Sequence, residues 1–223
     1  MGRKSGSSAK RTVRSRGKKA AKRDTPAELR IIGGRMRGRL LAYGGNLGMR
    51  PMKDRIREAA FNLVGPGVKQ KHALDLFAGT GALALEAISR GASAATLIER
   101  HFPSVRIIEQ NIANLQVNDC TEVVGADTFY WVNHQIEGFC EAVTCPWVVF
   151  CSPPYDYYVE RTEEVLQLLT SLIEHMPMES VMVVESDERF DAGQLPGEWD
   201  IRAYPPAKLA IFEKSEDDGR TEH

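Results

Sequence analysis

The run Leu74-Asp75-Leu76-Phe77-Ala78-Gly79-Thr80-Gly81-Ala82 constrains the fold of this chain more than any other. A buried-strand pattern over residues 73–76 passes into a glycine turn and then into the small-residue helix Ala82-Leu83-Ala84-Leu85-Glu86-Ala87. Strand, tight turn and helix in that order form the first unit of a doubly wound sheet. Glycines at 79 and 81 let the backbone approach a ligand, because no Cβ stands between. From residue 71 the same alternation repeats. Strands are expected near 72–76, 94–99, 121–125, 147–151 and 180–185, and helices near 81–90, 103–115, 127–137 and 158–175. That spacing predicts an α/β, Rossmann-like fold with a mostly parallel sheet and helices on both faces. Asp200 to Tyr204 and Lys208 to Glu213, joined across Pro205-Pro206, read as a strand pair closing one edge, which makes about seven strands.

The chain before this region has a different character. Residues 1–24 hold ten Lys/Arg and one acid, leaving 19 basic against 29 acidic residues for the rest of the chain. Rich in Ser, Gly and Ala and poor in bulky apolar residues, the tail cannot bury enough surface to fold alone. A basic arm on an acidic body suits a polyanion such as RNA through counterion release, and a solubilising tail is the alternative. Leu29 to Tyr43 reads as a β-hairpin around the basic turn Gly33-Gly34-Arg35-Met36-Arg37-Gly38. Asp54 is placed to N-cap a helix with Ile56, Ala59, Ala60, Leu63 and Val64 on one face, ended by Gly65-Pro66-Gly67. The expected organisation is a disordered basic tail (1–26), a hairpin extension (27–52) and an α/β domain (53–223).

Composition narrows the class further. With 43% hydrophobic and 26% charged residues the chain reads as globular, and no apolar run reaches the ~20 residues of a membrane span. The four cysteines lack zinc-ligand spacing, so no metal is expected and a reduced, cytoplasmic setting is. Cys151 is expected to be a buried thiol.

The glycine turn alone is ambiguous, since Gly79-Thr80-Gly81-Ala82-Leu83-Ala84 also fits a dinucleotide fingerprint with Glu99 twenty residues on. Two features favour S-adenosylmethionine. Asp75, four residues before Gly79, suits a ligand with a cationic amino-acid end and would repel a pyrophosphate. Asp127 falls at the tip of the third strand, beside the place of an adenine. The expected groove is formed by Asp75, Phe77, Ala78, Gly79, Gly81, Glu99, Arg100 and Asp127. Glu99 would accept the ribose hydroxyls, and Asp127 the adenine amine while also capping the helix that follows. Separately, Arg35, Arg37, Arg39, Arg50, Lys53, Arg55 and Arg57 fall within 23 residues, too dense for an incidental charged face, and are expected to grip phosphates.

With these residues in view, the chain resembles the bacterial 16S ribosomal RNA guanine-N2 methyltransferases. The resemblance covers about residues 29–214 and is carried by Arg30-Ile31-Ile32-Gly33-Gly34, by Leu74-Asp75 to Arg90-Gly91-Ala92, by Leu97-Ile98-Glu99-Arg100, by Val184-Glu185 and by Ala207-Lys208. Its specific part is Arg50-Pro51 through Asp54-Arg55-Ile56-Arg57-Glu58, followed by Phe61-Asn62, with Met52 and Lys53 where the family usually has two threonines. It implies a class I S-adenosylmethionine-dependent methyltransferase fold acting on the exocyclic amine of a guanine in 16S rRNA or the 30S subunit; a monomer is expected, though nothing in the sequence fixes the oligomeric state.

The family's fourth strand normally ends D/N-P-P-Y/F, and the resemblance makes that motif catalytic. Its first residue and the first proline's carbonyl accept the amine hydrogens, while the aromatic ring stacks on the base. Here the motif reads Ser152-Pro153-Pro154-Tyr155. Exchanging a charged acceptor for a neutral one costs on the order of 1–2 kcal/mol, roughly tenfold in rate. The motif alone therefore expects Ser152→Asp to raise transfer about tenfold. Two other readings stay open at this level: a catalytically weak RNA-binding or assembly factor, favoured by Ser152, and a DNA adenine-N6 methyltransferase, disfavoured by the Arg50–Glu58 segment.

Overall fold

The computed structural model describes residues 1–2, 29–43 and 52–215. Helix α1 (Asp54–Val64) leads into an alternating series: β1 (His72–Asp75), α2 (Ala82–Arg90), β2 (Ala94–Ile98), α3 (Phe102–Leu115), β3 (Thr121–Val124), α4 (Thr128–Ala142) and β4 (Trp147–Cys151). Then come α5 (Tyr157–Glu160), α6 (Thr162–His175), β5 (Val181–Asp187), β6 (Asp200–Tyr204) and β7 (Ala207–Glu213). The strands form one sheet in the order β3-β2-β1-β4-β5-β7-β6. β1 to β5 are parallel, while β7 runs antiparallel to both β5 and β6. Chain order reverses between β1 and β4, and such a switch point opens a crevice beyond the carboxyl ends of the two strands.

Strands β1 and β4 are buried along their whole length, as a sheet covered on both faces requires. On one face α1, α2 and α3 pack with the segment 29–43, and on the other α4 and α6 do. Gly81 (φ 76°) opens α2 in the left-handed region. A Cβ there would lie 3.0 Å from Leu97 and 3.3 Å from Ile108, so both conformation and space demand glycine.

Four local expectations are corrected. The segment 29–43 turns back on itself, but its single β-bridge is Arg30 with Leu40. Side chains of α2 hold it instead of a strand ladder: Glu86 accepts from Ile32 N and Gly33 N, each at 2.7 Å, and Ser89 Oγ accepts from Met36 N at 2.9 Å. Gly34 (φ 75°) permits this seat, since a Cβ there would sit 2.0 Å from the Ser89 carbonyl. Asp54 does not cap α1. Lys53 holds the cap position without a side-chain bond, and Asp54 turns to Arg57. The helix expected at 158–175 is broken at Arg161 (φ −135°), whose guanidinium stacks 4.0 Å from the centre of the Phe129 ring. Finally, α4 continues past residue 137 to Ala142, because Phe139 packs edge-on against Trp131 and Trp147.

Candidate active site

A cleft of about 710 Å³ lies over the carboxyl ends of the parallel strands, within the size range of small-molecule sites. One end is walled by Phe77, Ala78, Gly79 and Thr80 after β1, by Glu99, Arg100 and His101 after β2, and by Asp127 and Thr128 where α4 begins. Glu99 ties these pieces together. Its Oε2 accepts from Gly79 N at 2.8 Å and its Oε1 from His101 N at 2.7 Å. A carboxylate has about four lone-pair sites, so two remain for a ligand's hydroxyls. Asp127 caps α4 through Oδ1, which accepts from Phe129 N (3.1 Å) and Tyr130 N (3.2 Å). Its Oδ2 lies 3.8 Å from Arg100 Nη1, and both residues line the cleft. Capping therefore uses Oδ1 and leaves Oδ2 out of it.

Two residues expected in the groove lie beneath it. Gly81 is buried at the start of α2, and Asp75 is 1% exposed, with neither on the cleft wall. Asp75 Oδ2 accepts from Ala84 N at 3.3 Å, while Oδ1 is buried without a hydrogen-bond partner. Burial pushes the Asp75 carboxyl up to about 7, with Glu99 adding to the rise and the Ala84 bond opposing it. An orphaned acceptor under a glycine turn fits a cationic ligand group above it.

The other end of the cleft holds Ser152, Pro153, Pro154 and Tyr155, which β4 delivers beside β5. Here the structure adds a residue that the sequence reading had only matched to the family: Glu185, 6% exposed, on β5. The Ser152 hydroxyl donates to Glu185 Oε2, the Tyr155 hydroxyl donates to Oε1 at 2.8 Å, and the Tyr158 hydroxyl donates to the Glu185 carbonyl at 2.9 Å. Burial raises the Glu185 carboxyl, against the two hydrogen bonds that lower it. Burial and the neighbouring Glu185 also raise the Tyr155 phenol. The available signal was an acid directly continuing the apolar run Val181-Met182-Val183-Val184, since acids are rarely buried without partners. Cys151 is buried as expected, and burial raises its thiol well above the ordinary range, which keeps it inert.

The basic residues divide. Lys53 and Arg55 line the cleft, and Arg55 Nη2 donates to the Pro205 carbonyl at 3.0 Å. Arg35, Arg37 and Arg39 are exposed on the 29–43 segment, off the cleft wall, and Arg39 donates to the Asn114 carbonyl at 2.6 Å. Arg50 and nearly all of the basic tail lie outside the described residues. Arg57 does not belong to a phosphate-gripping set. Two residues along a helix turn it about 200° from Arg55, and it is fully buried, donating to the Arg30 carbonyl (2.6 Å) and Asp54 Oδ1 (3.0 Å). Its Nε lies 3.9 Å from Glu86 Oε2. Arg189, unremarked in the sequence, lines the cleft while paired to Asp156 (2.9 Å) and Asp187 (2.7 Å).

A sheet that reverses order at β1 and β4, with a glycine turn and a P-P-Y motif opening on one cleft, defines a Rossmann-like methyltransferase fold. Among solved structures, a putative methyltransferase from Escherichia coli matches it with a TM-score of 0.67 and 27% identity, over 84% of this chain and 98% of that one. The chain belongs to the family described as conserved hypothetical protein 95, whose profile matches residues 29–204. Its relatives include the "Ribosomal RNA small subunit methyltransferase D" of Escherichia coli strain K12, 34% identical over 78% of this chain and 82% of that protein. Another is the "Putative rRNA methyltransferase YlbH" of Bacillus subtilis strain 168, 28% identical over 83% of this chain and 99% of that protein. Among the described residues, no helix is long and apolar enough to cross a membrane.

Proposed function

We propose that this protein transfers a methyl group from S-adenosylmethionine to the exocyclic N2 amine of a guanine in 16S rRNA, acting as a cytoplasmic monomer on the RNA or the 30S subunit. The observation that carries the reading is the continuity of the cleft, which joins the Glu99–Asp127 end to the Ser152–Tyr155 end. The relatives named as rRNA methyltransferases supply the substrate class. When bound, S-adenosylmethionine supplies an electrophilic methyl group on a sulfonium. Glu99 accepts the ribose hydroxyls, Asp127 Oδ2 accepts the adenine amine, and Asp75 sits under the turn as counter-charge to the amino-acid end. The Pro153 carbonyl accepts one hydrogen of the target amine, and the Tyr155 ring stacks on the base. Lys53 and Arg55 at the cleft, with Arg35, Arg37, Arg39 and Arg50, position phosphates. Mass spectrometry of 16S RNA nucleosides from cells with and without the gene tests this. Loss of N2-methylguanosine on deletion is expected, and an unchanged nucleoside profile would remove the assignment. Ser152 in place of the family's acid favours a second reading, an RNA-binding assembly factor, which the unchanged profile would support.

Two further outcomes follow. Glu99→Ala is expected to weaken cofactor binding by about 1–3 kcal/mol through lost ribose hydrogen bonds, measured by calorimetry. Unchanged affinity, or preference for a nicotinamide dinucleotide, would overturn the site assignment. Deleting residues 1–24 removes up to ten cationic contacts. The slope of log affinity for 16S RNA against log salt is expected to flatten, with little change in discrimination between RNA sites. An unaltered slope would make the tail a solubilising segment.

A further inference from the structure

Ser152 stands where the family's motif carries a carboxylate or an amide, yet a carboxylate is present at the same place in space. β4 and β5 are parallel neighbours with Cys151 opposite Val184, so Ser152 and Glu185 come abreast one step further on. The Ser152 hydroxyl has one hydrogen, and it is committed to Glu185 Oε2. Its lone pairs are the acceptors left at the half-buried cleft wall. We infer that Glu185 on β5 is the positioning carboxylate of the methyl-transfer site in this chain, acting on the substrate amine through the Ser152 hydroxyl. The inference rests on the methyl-transfer reading above.

The proton path follows from the hydrogen bonds. As the amine nitrogen bonds to the methyl carbon, the carbon–sulfur bond breaks and its electron pair stays on sulfur. The methylated nitrogen then carries a positive charge and two hydrogens. One passes to the Ser152 oxygen while the serine's own proton passes to Glu185. The products are a neutral methylamine, an unchanged serine and a protonated Glu185, which returns its proton to water after release. The Tyr155 hydroxyl on Oε1 links the same carboxylate to the stacking ring, and the Tyr158 bond fixes the strand at that residue.

The groups around Glu185 set its titration. Ser152 faces it from the β4 side, Tyr155 from the following loop and Tyr158 from α5. Asp187 lies two residues along β5 and pairs with Arg189, which also holds Asp156. On β7, Lys208 is opposite Ser186 and spends its ammonium on the Phe190 carbonyl. Burial raises the Glu185 carboxyl from its ordinary value, against the Ser152 and Tyr155 hydrogen bonds that lower it. Transfer should therefore rise with pH as Glu185 ionises.

Single-turnover methyl transfer to 30S particles and to 16S RNA, followed from about pH 5 to about pH 9, tests this. The forms compared are wild type, Glu185→Gln, Ser152→Asp and the double variant. Glu185→Gln is expected to slow transfer about tenfold or more and to lose the rise with pH, with cofactor affinity and melting temperature preserved. Ser152→Asp alone is expected to slow transfer too, since two abutting carboxylates cannot both ionise. This reverses what the motif alone suggests. In the double variant the aspartate replaces the relay, and the rate is expected to recover to within a few-fold of wild type. If Glu185→Gln does not fold, Ser152→Ala serves: it breaks the relay and should lose the same pH-dependent rise. Wild-type rate and pH profile in Glu185→Gln, the rise retained in Ser152→Ala, or a double variant no faster than either single one would each overturn the inference alone. A wild type inactive on both substrates overturns the functional reading and the inference with it.

Discussion

Arg57→Ala is expected to lower the free energy of unfolding by about 3–5 kcal/mol, the range for breaking a buried ion pair, while leaving the salt dependence of RNA binding unchanged. The guanidinium is fully buried beside Glu86, which is buried as well. Burial lowers its pKa, and Asp54 and Glu86 oppose that shift. An arginine does not lose its proton in a protein, so the site holds a real charge whose removal costs Asp54 and the Arg30 carbonyl a hydrogen bond and leaves Arg90 as the remaining cation beside Glu86. Arg57→Lys keeps the charge but not the fork that reaches both Asp54 and Arg30, and should recover part of the loss. Urea unfolding measures the first effect and salt titration of RNA affinity the second. A variant of wild-type stability whose salt slope falls by about one unit would show Arg57 to be a phosphate contact after all.

The second large effect lies at Asp75 and is linked to pH. Its carboxyl has an ordinary value of 3.8 and a folded value of about 7. The folded state thus holds the proton more tightly than the unfolded chain. The stability this gives is fully present below about pH 4 and is lost as pH rises through 7, a change on the order of 4 kcal/mol. Asp75→Asn should abolish that slope, matching wild type near pH 4 and exceeding it near pH 8. A cationic ligand group above the orphaned Oδ1 would favour the ionised form. Cofactor binding near pH 6 is therefore expected to release a fraction of a proton in wild type and none in Asp75→Asn, read from calorimetry in buffers of different ionisation enthalpy. A flat stability profile in wild type would remove the premise. Equal proton release in both proteins would place the titrating group elsewhere.

What could be read from the chain was what short segments dictate. The β1–glycine–α2 unit, the order of strands and helices behind it and the edge pair β6–β7 each follow from local periodicity and are present, with the 158–175 helix split and α4 longer than expected. Glu99 and Asp127 could be placed because a strand tip is a local event. The misreadings involve partners far away in the chain. Arg57 looked like part of a basic stripe because two of the groups it meets, the Arg30 carbonyl and Glu86, are brought to it only by the fold. The bond from Ser152 to Glu185 could not be read from the chain either, because Glu185 is 33 residues on and only the β4–β5 pairing brings them together. The 29–43 hairpin failed as a ladder because its backbone donors are satisfied by side chains of α2. No pattern within the segment announces that.

Glu99 has a consequence for the order of events. Both of its oxygens hold backbone N–H groups of two different loops, bonds made within the chain itself. The conformational entropy of the turn at Gly79 is thus surrendered when the chain folds, not when it binds, at about 1–2 kcal/mol for each residue fixed. Association then draws on an already shaped cradle, and tightness at this end of the cleft is set by how long the ligand stays more than by how the loop closes.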